Sequence, residues 1–190
     1  NGISMQNWKI SKTTGISLQD MFRNTTKFNG NLTGWDLSSV TNMAGMFREA
    51  NVFDQPIGNW DVSSVTRMDY MFNQATFNKD IGGWNVDKVT NMESMFDGVG
   101  KPMAFNQNIN SWDVSKVTNF REMFQSATVF NQPLDKWDVS SAINMLSMFS
   151  WAKSFNQPLD TWNVSNVEIM QGMFYNAHNF NQRIGMLSLI

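Results

Sequence analysis

The stretch Ile57-Gly58-Asn59-Trp60-Asp61-Val62-Ser63-Ser64-Val65-Thr66-Arg67-Met68-Asp69-Tyr70-Met71-Phe72-Asn73-Gln74-Ala75-Thr76-Phe77-Asn78 returns along the chain at a spacing close to 25 residues. Its Met-Phe step recurs at Met21-Phe22, Met46-Phe47, Met71-Phe72, Met95-Phe96, Met123-Phe124, Met148-Phe149 and Met173-Phe174. Trp recurs at Trp8, Trp35, Trp60, Trp84, Trp112, Trp137 and Trp162. A fixed period in this range predicts a solenoid, in which each unit buries its apolar face against its neighbours. Most of the conspicuous aromatic residues are therefore expected in the core.

Within one unit, Trp60 and Val62 lie two apart, which predicts a strand with Asn59, Asp61 and Ser63 on its other face. Met68, Met71, Phe72 and Ala75 fall at i, i+3, i+4 and i+7, the spacing of one helix face. Thr66 then reads as the helix N-cap, and Thr90 with Glu93 as a capping box. Met5, Trp8 and Ile10 repeat the strand pattern at the start, and Ile184, Leu187 and Leu189 at the end. The expected fold is α/β: a single repeat solenoid over residues 1–190, with a parallel sheet of about eight strands and seven short helices.

The Ile-x-x-Trp-x-Val pattern resembles the core of a leucine-rich repeat. The fuller phrase Trp-Asp-Val-Ser-x-Val-Thr-x-Met-x-x-Met-Phe-x-x-Ala-x-x-Phe-Asn-Gln is similar to the repeat of BspA-like surface proteins, known from mycoplasma lipoproteins and without assigned function. That resemblance implies a leucine-rich-repeat-like solenoid on a secreted or surface protein, with adhesion or protein binding as its role. It carries no catalytic residues. The lipoprotein Cys and the membrane anchor of such proteins are absent from this segment.

Composition narrows the function classes. The chain has 190 residues, a formal net charge of −2, a single His (His178) and no Cys. A basic stripe, the footprint of a nucleic-acid binder, is missing. No apolar run reaches the ~18 residues of a membrane span. One His without Cys gives no transition-metal cluster, and any Ser-His-Asp set would need that one His. The reading is a protein that is not an enzyme and uses no cofactor or metal.

Departures from the repeat are where function is sought, because packing dictates the repeat itself. Three extra residues around Gly98, Gly100, Lys101 and Pro102 form a candidate contact loop. Ile143 replaces the usual Thr, Leu146 takes a place held elsewhere by Ala44, Asp69 or Glu93, and Trp151 one held by Glu49, Gln74 or Ser126. On the expected helix these project away from the core, with Ile169 beside them. An exposed apolar group of this kind marks an interaction site.

Two polar columns run along the repeats. The Asp column (Asp36, Asp61, Asp113, Asp138) sets the turn after the strand by accepting backbone hydrogen bonds; a Ca²⁺ site is the competing reading. The Asn column (Asn29, Asn78, Asn106, Asn131, Asn156, Asn181) forms an internal ladder that satisfies loop backbone groups. The expected function is a non-catalytic protein- or glycan-binding module, extracellular or on the cell surface. The alternative is a structural subunit docked in a larger assembly.

Overall fold

The computed structural model describes residues 15–101 and 103–184. The expected terminal strand positions Met5, Trp8, Ile10, Leu187 and Leu189, and Pro102 of the loop, lie outside the described residues. The chain runs in coils of about 25 residues, each hydrogen-bonded to the next. We number them by their Met-Phe step, from coil 1 at Met21-Phe22 to coil 7 at Met173-Phe174.

The expectation of seven helices and eight strands is overturned. No helix occurs among the described residues, and the only strands are β1 (Ile16–Ser17) and β2 (Val40–Asn42). These two pair in parallel in one sheet, Ile16 opposite Val40. Beyond them the pairing shrinks to one residue per coil, Asn42–Arg67–Asn91–Asn119–Asn144–Ile169, with one further bridge between Leu159 and Ile184. The pairing residues thus lie just before the Met-Phe segment, not at the Trp.

The Ile-x-x-Trp-x-Val segment is a pair of tight turns. The Trp60 N–H donates to the Ile57 carbonyl at 3.1 Å and the Val65 N–H to the Val62 carbonyl at 2.9 Å. Trp and Val both point inward because the turns are short, which period two reproduces by coincidence.

The Met-Phe segment explains the missing helix. In coil 3 the N–H groups of Met71, Asn73 and Ala75 donate three residues back, to Met68, Tyr70 and Phe72. The alternate N–H groups of Met68, Tyr70, Phe72 and Gln74 leave the coil and donate to Asn91, Glu93, Met95 and Asp97 of coil 4. A helix would keep all of them inside. The alternation requires left-handed residues four apart, and Tyr70 (φ 58°) and Gln74 (φ 56°) supply them. The Thr residues are not caps either. Thr66 donates both its N–H and its Oγ1 hydrogen back to the Thr41 carbonyl, at 2.8 and 3.1 Å.

The core is three aromatic columns. Trp60, Trp84, Trp112 and Trp137 stack on one another at 6.4–6.5 Å between ring centroids. The Phe of each Met-Phe step stacks on the next at 5.4–5.8 Å. A second Phe column, Phe53–Phe77–Phe105–Phe130, runs beside it at 6.2–6.4 Å. Apart from the partly buried Phe174, each of these rings is fully or almost fully buried, which for a side chain of this size contributes about 2–3 kcal/mol against the entropy of ordering the coil. The indole N–H groups are committed too. Trp84 Nε1 donates to the Ile57 carbonyl and Trp112 Nε1 to that of Ile81, both at 3.1 Å, so each coil's first turn is fastened by the next coil's Trp.

Candidate interaction face

The outward side of the Met-Phe segments forms a continuous face across the coils, and its chemistry changes along the stack. In coils 2 to 5 it is a closed polar network. Arg67 donates to both carboxylate oxygens of Asp69 at 3.0 and 2.8 Å. The Tyr70 hydroxyl donates to Glu93 at 2.6 Å, and Asn119 donates to the other oxygen of Glu93 at 2.9 Å. Burial and that Glu93 carboxylate push the Tyr70 hydroxyl up to about 12. Arg121 pairs with Glu122 at 3.1 Å, and the Arg48 guanidinium lies 5.2 Å over the Tyr70 ring. Asp97 is buried here, holding Asn73 Nδ2 at 3.0 Å and the Val99 N–H at 2.8 Å. Its burial pushes the carboxyl up to about 6.

In coils 6 and 7 the network stops. Ser147, Ser150 and Gly172 hold the equivalent positions, and apart from Gln171 the larger side chains there are Ile143, Leu146, Trp151, Ile169 and Tyr175. Ile143, Trp151, Ile169 and Tyr175 are all exposed, while Leu146 is half-buried. The four residues singled out from the sequence fall in two groups. Ile143 and Ile169 are joined through the backbone, the Ile169 N–H donating to the Ile143 carbonyl at 3.2 Å. Leu146 follows Asn144, whose Oδ1 accepts the Leu146 N–H at 2.9 Å. Trp151 belongs elsewhere, meeting Tyr175 at 6.1 Å and His178 at 6.4 Å, edge to face in both cases. Among the described residues no ring contact or hydrogen bond links the two groups.

Trp151 faces outward for a reason other than helical projection. It occupies the second left-handed position of its coil at φ 60°, where coils 1, 2, 3 and 5 have Asn24, Glu49, Gln74 and Ser126. Ile169 departs in a different way. In coils 2, 4, 5 and 6 an Asn occupies its position and accepts the N–H two residues on, as Asn42 does from Ala44 at 2.9 Å. Ile169 gives up that turn for an exposed apolar side chain.

Tyr175 and His178 were not anticipated. Tyr175 fills the place of Arg48, Asn73 and Asp97, and reading that column as the Trp151 column was read would have found it. In the sequence His178 enters only as a metal ligand or a catalytic group.

The insertion loop is tied down. Gly98 donates to the Gln125 carbonyl at 2.8 Å, and a Cβ there would meet the Ser126 carbonyl at 2.7 Å. Gly100 turns the chain at φ 83°. Lys101 Nζ donates to Asn51 Oδ1, across the whole of coil 3. Among these residues it is Val99 that presents an exposed side chain.

The polar columns are structural. Asp61 Oδ1 accepts the Ser63 N–H at 3.0 Å, and Asp113 and Asp138 repeat this with Ser115 and Ser140. The Ser hydroxyl and N–H hold all three carboxyls below their ordinary range. Among the described residues no group of three or more His, Cys, Asp or Glu is placed to hold a metal. In the Asn column, Asn131 Oδ1 accepts the Asn156 N–H at 2.9 Å and Gln157 Nε2 at 3.0 Å. The same pair of bonds joins Asn106 to coil 5 and Asn156 to coil 7. No helix among the described residues is long and apolar enough to cross a membrane.

The family model described as "Mycoplasma protein of unknown function, DUF285" matches residues 1–103 and again residues 99–188. No curated protein matches, and no solved structure matches.

Proposed function

The chain belongs to the Mycoplasma repeat family of unknown function DUF285, whose model covers nearly all of it, and we propose that this member is a non-catalytic binding module of a surface or secreted protein, with a protein or glycan as its partner. The observation that carries this reading is the break in the outward face. In coils 2 to 5 the outward side chains are mostly polar and bonded to one another, whereas coils 6 and 7 leave Ile143, Trp151, Ile169 and Tyr175 exposed. Trp and Tyr placed this way are the residues that anchor interfaces. The similarity of the repeat to BspA-like proteins supports a surface location and an adhesive role. The test is capture of partners by the immobilised chain, compared with a Trp151→Asn, Leu146→Ser variant. Retention of the same partners by the variant would refute the assignment to this face.

A second reading, a structural subunit of a larger assembly, is favoured by a separate observation. In coil 6 the N–H groups of Met145, Ser147, Phe149 and Trp151 donate to coil 7. The corresponding N–H groups of Met170, Gly172, Phe174 and Asn176 in coil 7 have no acceptor among the described residues. An edge of this kind accepts a further extended backbone. Purification of a stable complex in which Trp151 and this edge are protected from hydrogen exchange and labelling would decide for this reading.

A further inference from the structure

We propose that Trp151, Tyr175 and His178 form a carbohydrate-binding platform that takes a neutral pyranose ring. The proposal rests on the binding-module reading and narrows it to one of its two partner classes.

Three features of the trio point the same way. The first is backbone conformation. A bulky residue at φ 60° is disfavoured relative to the Asn of coils 1 and 7, so Trp151 holds its position against a local conformational cost. The side chain nonetheless stays 40% exposed, and its neighbour Tyr175 61%.

The second is geometry. Trp151 crosses Tyr175 at 75° and His178 at 83°. The core columns run ring on ring, so that Trp60, Trp84, Trp112 and Trp137 each have a stacked Trp on both sides. Edge-on packing steadies the trio without stacking the rings, and Trp151 and Tyr175 keep part of their aromatic surface exposed, against which the axial C–H bonds of a sugar can pack.

The third is the state of the polar atoms, and it separates a sugar from an apolar peptide. The indole N–H groups of Trp60, Trp84, Trp112, Trp137 and Trp162 each donate to a carbonyl of the preceding coil. Trp151 Nε1, the Tyr175 hydroxyl and the His178 ring nitrogens have no hydrogen-bond partner among the described residues. Covering them with an apolar surface would strand three polar groups, at about 1–3 kcal/mol for each. A pyranose supplies hydroxyls that donate and accept around its edge while its C–H face meets the ring. Exposed Lys153 and Asn179, close by in sequence, add polar atoms to the rim.

The test uses the 190-residue chain and soluble hexasaccharides of glucose, N-acetylglucosamine and galactose, titrated by calorimetry, together with a printed glycan array. Binding of at least one neutral glycan is expected. Trp151→Asn should weaken it about tenfold or more, and Tyr175→Ala by a smaller factor. Because Asn suits the left-handed position, Trp151→Asn should fold with an unchanged or raised melting temperature, so that lost binding is not lost fold. Val52→Thr, an exposed apolar residue of coil 2 outside that face, should leave glycan binding unaltered. Absence of any glycan ligand overturns the proposal, as does binding that survives Trp151→Asn. A protein partner captured through Trp151 without any glycan ligand also overturns it, while leaving the binding-module reading in place.

Discussion

Lys79 Nζ lies 2.7 Å from Asp54 Oδ2, at the one step of the described ladder where the Asn–Gln pair is replaced. Elsewhere an Asn accepts the next coil's N–H and a Gln amide from the same coil, as Asn29 does from Asp54 and Gln55. At this step Asp54 Oδ1 still accepts the Asn78 N–H, at 2.8 Å, and the Gln becomes a Lys that matches the added charge. The two changes are therefore one substitution in two parts. Asp54→Asn or Lys79→Gln alone should destabilise more than the pair together. For so exposed an ion pair the coupling should be about 0.2–1 kcal/mol, read from urea unfolding in a double-mutant cycle and shrinking in high salt.

Trp112 tests the indole fastening. Trp112→Phe keeps a ring in the column but removes the donor that holds the Ile81 carbonyl. We expect a loss of about 1–3 kcal/mol in unfolding free energy, with stacking largely retained in near-ultraviolet circular dichroism.

Asp97 makes stability depend on pH in a definite direction. Its folded pKa is raised to about 6 by burial, above the ordinary 3.8. Between those values the folded state binds more protons than the unfolded one, so this group's contribution falls as pH rises from about 4 to 6 and stays low above that. Asp97→Asn should raise the melting temperature at pH 7 and leave it nearly unchanged at pH 4. The new amide nitrogen would replace the oxygen that accepts from Asn73 Nδ2, so Asn73 flips to offer it the Oδ1 that is now buried and without a partner. An equal effect at both pH values would show that charge burial is not the cause. Asp61, Asp113 and Asp138 act oppositely: their carboxyls are lowered, so the stability they add is present above the ordinary value and is lost below about 4.

Two glycines separate backbone conformation from space. Gly45 has φ 61°, and a Cβ there would meet the movable Asp20 carboxylate at 2.4 Å. Gly58 has no unusual φ, but its Cβ would meet the fixed Asp80 carbonyl at 2.5 Å. Gly45→Ala should cost about 1–2 kcal/mol, the usual penalty for a left-handed Ala. Gly58→Ala should cost as much or more, about 1–3 kcal/mol, because backbone of the next coil must shift. Urea midpoints measured on both variants give the comparison.

The sequence made the period, the aromatic core and the two polar columns readable, because each is a statement about which residues recur together. Phe72 and Trp60 are buried, Asn78 and Asn106 ladder, and Asp61 sets a turn, all as their recurrence implies. The secondary structure was not readable. Met68, Met71, Phe72 and Ala75 satisfy a helical face and equally a chain of tight turns with left-handed residues at 70 and 74. Apolar spacing records which side chains point inward, not whether a backbone N–H finds its acceptor within the coil or in the next. Tyr70 and Gln74 are poor markers of a left-handed backbone, so nothing local signalled the turns. The outward face was legible in part: Trp151 stood out because it broke a column, and Tyr175 was missed in a column that runs Arg23, Arg48, Asn73, Asp97, Gln125, Ser150 and so has no single expected residue.

The Lys101–Asn51 contact has a mechanical meaning. Each coil is held mainly by its neighbours, so tension on the chain ends should unravel the stack a coil at a time. Each release would add about 80–90 Å of extended chain per 25-residue coil. Lys101 reaches from coil 4 to coil 2 over the top of coil 3 and clasps three coils into one block. Under load the stack should peel from its ends toward that clasp and give way there last, in a single longer step.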